Sequence, residues 1–422
     1  MLSTLRNAWK VPELRKRFLW TIFLVAIFRI GIHIPVPGID TSALSTLTES
    51  GGLLSFYNLI SGGAFTKASI LALSVSPYIN ASIIMQLLTI AIPSLEQLSK
   101  EGEEGRKKIQ SITRYVSIGI ACVLALGVYS TIANLGATSG VGTLEKIVII
   151  FSLVVGSTFC MWLGDQITQK GFGNGVSILI FVNIVSQIPS TVNSVYTLKT
   201  AGEISIIEIL LFLVGVIALL AVTIFFSLAE RRVPIQYAGK AVGSKVMKGQ
   251  STHIPLSIIG SAVIAIIFAM SVMMFPTTIA AFFPSKGWAS WITSSKYSIF
   301  NTGTWMYPVC YAVLTVFFTW FYTQITFKPD EMAENLHKSA GFVPGIRPGE
   351  ATEKYFEKLL TKVSIIGGLF AAFLAVTPIL VGKYISGVQF GGTSLLILIG
   401  VALDFSRQLD SQLVMRHYDG FL

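Results

Sequence analysis

The sequence predicts an all-α polytopic membrane protein with ten transmembrane helices. Three observations carry this. First, 53% of its 422 residues are hydrophobic and only 12% are charged, about half the charged share of soluble domains. Second, apolar stretches long enough to cross a bilayer recur along the whole length. Third, the basic residues sort by side. Of the 31 Lys and Arg side chains, 24 fall at or between the spans on the side of the termini and 6 on the opposite side, with Arg29 inside the first span. An even number of spans puts both termini on one face, and the positive-inside rule makes that face cytoplasmic. The net charge of +10 is then a topology signal with some attraction to anionic lipid, and requires no nucleic acid.

In chain order the spans fall near 18–34, 69–92, 114–135, 146–164, 176–197, 205–229, 255–281, 304–327, 361–381 and 393–412. The basic stretch 1–17 precedes the first. The apolar run that follows lacks a small-residue cleavage site and carries Arg29, so it is not a cleavable signal. Leu2, Leu5 and Trp9 share one face of a short interfacial helix. Arg29 lies near the outer end of its span and can snorkel. Cys122, Cys160 and Cys310 all lie in apolar stretches and read as free, buried thiols.

Span two is interrupted by Ser74-Val75-Ser76-Pro77. Proline removes a donor and disfavours helix in the residue before it. The run therefore divides into a short helix near 64–74 and a second from Pro77 toward Ile92. Broken backbone at membrane depth is tolerated only inside protein or beside water. Ser61, Gly62 and Gly63 upstream form a hinge, with Pro77 at the other end; the competing reading is an ordinary proline kink.

Two cytoplasmic loops are long, 230–254 and 328–360. The first carries Arg231, Arg232, Lys240, Lys245 and Lys248. The second has a Pro- and Gly-punctuated tip, Phe342 to Gly349, presenting Arg347 ahead of a charged helical segment. Both read as a docking surface for a cytosolic partner, against the alternative of a solvated basic face. Phe172-Gly173-Asn174-Gly175 opens span five, and Phe390-Gly391-Gly392-Thr393 opens span ten from the opposite side. The echo fits an inverted repeat of five plus five, or chance likeness of Gly-rich turns.

Enzyme signatures are missing: the sequence has no His-Glu-x-x-His, Gly-x-Ser-x-Gly or Walker loop, and its four histidines show no metal spacing. No catalytic residue, metal or cofactor is expected. Intramembrane carboxylates of the kind that relay protons are scarce; Asp404 reads as an (i, i+3) partner of Arg407. Two apolar pairs at helical spacing flank the breaks, Ile79 with Ile83 and Val176 with Ile180. As bare patterns they mean packing or lipid contact.

The motifs together are specific: Pro35-Val36-Pro37-Gly38, Ser61-Gly62-Gly63-Ala64, Pro77-Tyr78-Ile79, Gln86-Leu87-Leu88, Glu101 to Lys107, Trp162-Leu163-Gly164, Gly173-Asn174-Gly175, Gln250 to His253, Phe342 to Glu350, and Gly391 to Ile397. Over essentially its whole length the chain resembles the SecY family, the central subunits of bacterial protein-conducting channels.

The resemblance implies two inverted five-helix halves around an hourglass pore. The N-terminal half is 1–200, with spans one to five and a plug helix near 64–74. The C-terminal half is 201–422, with spans six to ten and both long loops. The resemblance implies a pore ring of Ile79, Ile83, Val176, Ile180, Ile267 and Ile397, which excludes water by dewetting. It also implies a seam between spans two–three and seven–eight that opens sideways to lipid. Arg347 matches the family's arginine that contacts the motor SecA or the ribosome. Further implied are SecE-like and SecG-like small membrane subunits, signal-sequence-bearing polypeptides as cargo, and location in the cytoplasmic (inner) membrane. The stretch Ser257 to Ala265 departs from the family, with Ile259, Ala262 and Ala265 where Asn, Gly and Pro are usual, so the gate helix should be less kinked and less polar. Ser74-Val75-Ser76 also replaces the common Gly-Ile-Met. The rival reading is a secondary solute transporter, which also uses inverted repeats and broken helices; a poreless interaction scaffold is more distant.

Overall fold

The computed structural model describes residues 9, 11–39, 58, 61–134, 142–200, 202, 205–237, 241–242, 245–246, 251–260, 262–282, 286–301, 303–384 and 392–419. Leu2 and Leu5 of the expected interfacial helix, and Lys240 and Lys248, lie outside them, as does the side chain of Lys245.

The N-terminal part comprises α1 (Pro12–Gly31), α2 (Ser76–Ala91), α3 (Pro93–Lys100), α4 (Glu103–Asn134), α5 (Thr143–Lys170) and α6 (Gly175–Thr200). Next come α7 (Ile206–Leu228), the strands β1 (Glu230–Tyr237), β2 (Ala241–Val242), β3 (Lys245–Val246) and β4 (Ser251–Ser257), and then α8 (Ala262–Phe282). The C-terminal part continues with α9 (Gly287–Ser294), α10 (Met306–Phe327), α11 (Pro329–Lys338), β5 (Gly341–Phe342), α12 (Glu350–Tyr384) and α13 (Gly392–Asp419). Each predicted span overlaps one of these helices, the second only from Ser76 on. Seven of them are individually long and apolar enough to cross a membrane, or eight if α2 and α3, bent by 100° at Ile92, are one span.

Packing groups the helices. In the first part α4 lies on α2 and α5, α5 on α6, and α1 on α5 and α6; in the second α10 packs on α8 and α12, and α13 on α7 and α12. The two groups meet where α8 touches α2 and α4 and where α13 touches α6. Helix α7 is nearly unburied in this chain, with Ile207, Leu211 and Phe225 about 70% exposed. Its all-round apolarity suits lipid or another membrane helix.

Three expectations need correction. The segment 64–74 is not a helix but a run of successive turns from Ser61 to Val75. Gly62 and Gly63, and also Ala68 and Ser74, have positive φ, which no right-handed helix accommodates. Pro77 stands in the first turn of α2, as the expected second helix from Pro77 requires; there its missing N–H costs nothing. Second, the loop 230–254 carries strands among its described residues, which the sequence does not predict. β1 pairs antiparallel with β4 from Glu230–Ser257 to Gln236–Ser251, and β5 joins the other edge of β1 at Gln236 and Tyr237. Pro234 lies where β1 is bonded on one edge only, so its missing donor is tolerated. Third, Cys122 is exposed, while Cys160 is buried and Cys310 intermediate; all three are free.

Candidate pore and seam

The waist grows from two glycine-led helix starts. α6 begins at Gly175, and a Cβ there would stand 2.0 Å from the Gly164 carbonyl oxygen of α5. Only glycine lets the two backbones approach so closely. The turn carries Val176 and Ile180 inward. α13 begins at Gly392 and buries Ile397 to 3% exposure. Ile180 and Ile397 belong to one apolar cluster with Phe28 of α1 and Leu163 of α5, and Ile79 and Val176 pack against it. Ile83 is buried on the same face of α2. Ile267, the sixth predicted member, is half-buried and outside the cluster; Val263, one turn earlier on α8, packs there instead. Apart from the weak thiol of Cys160, the side chains of this cluster offer no hydrogen bond, so water gains little by entering it.

The turn run packs into the same cluster. Ala64, Leu71 and Val75 belong to it, so the turn run and the waist residues share one apolar surface. Polar bonds pin the run's backbone. Val36 N–H donates to the Ala68 carbonyl at 2.8 Å, and Ile70 N–H to the Ile34 carbonyl at 3.1 Å. Ser69 Oγ donates to the Gly31 carbonyl at 3.0 Å and Ser157 Oγ to the Ser74 carbonyl at 3.1 Å. Asn183 Nδ2 of α6 donates to Ser74 Oγ at 3.3 Å. Sequence reasoning missed Ser69, Ser157 and Asn183; a polar residue in an apolar run was their only signal. Ser61 and Ser74 are both buried. Arg29 does not snorkel outward. Its Nη1 is buried without a hydrogen-bond partner among the described residues, and a Cβ on Gly62 would stand 2.9 Å from it.

The seam lies between α2–α4 and α8–α10. Ser271 Oγ of α8 donates to Asn80 Oδ1 of α2 at 2.8 Å, and the Tyr322 hydroxyl of α10 donates to Gln86 Oε1 of α2. Behind α2, Arg114 of α4 holds Asp165 of α5 at 2.8 Å, with Gln110 Nε2 at 3.5 Å from the same carboxylate.

Arg347 stands apart from the waist. It is exposed on a turn bracketed by Gly345 and Gly349, both at positive φ, and Thr352 Oγ1 donates to its carbonyl at 2.9 Å. Val343, Phe356 and Leu360 root this turn against Val233 and Ile235 of β1. Arg231 and Arg232 are exposed on β1, and Arg232 pairs with Glu230 at 2.7 Å.

The SecY family model matches residues 69–406. The protein translocase subunit SecY of Rickettsia typhi is 40% identical over 419 residues, covering 97% of this chain and 96% of the relative. Among solved structures, one described as "The structure of a protein conducting channel" aligns over 97% of both chains with a TM-score of 0.66 at 18% identity. Canine Sec61 in a ribosome-channel complex aligns over 97% of both chains with a TM-score of 0.61 at 17% identity. At such identities the structures speak for the shared fold, and the sequence match speaks for the family. The chain belongs to the SecY family.

Proposed function

We propose that this chain is a protein-conducting channel of the cytoplasmic membrane. It passes unfolded polypeptides through the waist and releases apolar segments sideways through the α2–α8 seam, without a chemical step of its own. The observation that carries this is the continuity of Ile79, Val176, Ile180 and Ile397 with Leu71 and Val75 of the turn run: a dry constriction with its stopper in place. The reading takes the ten helices as spans, the two groups as inverted halves of 1–200 and 201–422, and both termini as cytoplasmic. Ile83 and Ile267 complete the ring when it opens around a chain, and Ser61, Gly62 and Gly63 with Pro77 bound the segment that must move.

Driving force comes from a partner on the cytoplasmic face, a SecA-like motor or a ribosome, docking at Arg347 with Arg231, Arg232 and the basic residues of 238–250. The relatives' names and the ribosome-bound neighbour support this. The uncovered face of α7 suits lipid or the small SecE-like and SecG-like subunits. Purified complex in proteoliposomes, given motor and ATP, should protect a signal-bearing precursor from protease, and a stalled precursor should block the next. Saturable uptake of a small solute, with no precursor protected, would indicate a transporter instead.

A further inference from the structure

Beside the apolar waist lies a cavity of about 350 Å³, lined by Ile397, Leu396 and Val263 and also by Asn174, Asp404 and Arg407. In the proposed orientation Asp404 lies on its cytoplasmic side. Asp404 follows Ile397 by two turns of α13, roughly 10 Å along the axis. Asp404 and Arg407 are the only charged groups among the residues lining it. Their spacing permits an ion pair, and the sequence suggested one. The structure shows none: both side chains are exposed, and neither takes part in an ion pair among the described residues. Asp404 is therefore a cavity-lining carboxylate with no direct ion-pair partner among the described residues, open to a cation that enters.

We infer that Asp404 is a specificity-determining residue that engages the positively charged leader of an entering polypeptide. The inference rests on the channel reading. A secretory leader presents a basic stretch followed by 7 to 15 apolar residues. The cavity offers the complement in the same order, a carboxylate on the cytoplasmic side and an apolar wall, partly from α8 of the seam, beyond it. Arg407, one turn further out, cancels the carboxylate's field at a distance. Attraction is therefore felt chiefly by a cation inside the cavity, close to the carboxylate.

The test compares translocation of two precursors in proteoliposomes, one with two lysines in its leader and one with glutamates in their place. With Asp404→Asn, the lysine leader should lose about fivefold or more in initiation rate, since a charge-assisted contact is lost, while the glutamate leader holds or gains. With Asp404→Lys the preference should invert, and this exchange of charge is a rescue that a merely structural role would not give. Arg407→Gln should raise the ratio of lysine-leader to glutamate-leader translocation, and it decides the matter alone if the Asp404 variants do not assemble. Equal effects on both precursors, or an unchanged ratio, would overturn the assignment. Failure of the unsubstituted protein to move either precursor would overturn the channel reading itself.

Discussion

Ser271 Oγ donates to Asn80 Oδ1 at 2.8 Å across the seam between α8 and α2. It is also within 2.9 Å of the Ile267 carbonyl on its own helix, so the hydroxyl can keep a partner when the seam opens. Opening the seam breaks the Ser271–Asn80 bond, and the Tyr322–Gln86 contact is a second polar latch among the described residues. Ser271→Ala should shift the balance toward the open seam by about 0.5–1.5 kcal/mol, roughly 2- to 12-fold in population. A marginally apolar segment should then insert into lipid more often. Unchanged insertion would mean that packing alone closes the seam.

Gly156 of α5 faces the turn run so closely that a Cβ would lie 1.9 Å from the Ile70 carbonyl oxygen. Gly156→Ala must therefore displace the run, an overpacking cost of about 1–3 kcal/mol. The resting channel should leak ions, as read by single-channel conductance. Gly119→Ala on α4, where a Cβ would meet nothing within 4 Å, is the control and should stay tight.

The spans were legible because apolar composition is a long-range property of each segment. The glycine starts of α6 and α13 were legible because they break that composition sharply. The turn run was not, since Ala64, Ala68, Leu71, Ala72 and Leu73 favour helix locally. What overrides them is tertiary: the bond from Val36 to Ala68 and those from Ser157 and Asn183 to Ser74 hold these two residues at positive φ. β1 was hidden by Pro234 and by its charges. Four of the six ring residues proved to be in one cluster. Ile267 did not, because which face of α8 turns inward depends on Ala262 and Ala265 being buried, a matter of packing that no spacing encodes.

The Arg114–Asp165 pair braces α4 against α5 behind α2, with side chains 38% and 11% exposed. Asp165→Asn leaves the guanidinium without its counter-charge. Partial exposure of Arg114 reduces the loss below that of a fully buried broken pair, to about 1–3 kcal/mol. The melting temperature of the detergent-solubilised complex should fall by several degrees, with the waist unchanged at permissive temperature. No shift would mean that Gln110 and water replace the pair.

Arg347→Glu touches only an exposed turn, so the same melting temperature should hold within about one degree. Partner-driven transport should nevertheless stop, as measured by ATP-dependent precursor protection. Normal transport by this variant would remove Arg347 from the docking surface.

The central claim is that Ile397 belongs to a dry constriction that also holds the pore shut. Ile397→Asn places two donors and an acceptor in the cluster and removes apolar packing worth about 1–3 kcal/mol. An open population of about 1% would rise to between a few and over 50%. The measurement is ion conductance of the resting channel, taken together with translocation of a precursor carrying a defective signal. The account predicts that both rise in the assembled Ile397→Asn protein; an assembled variant in which neither changes would contradict it.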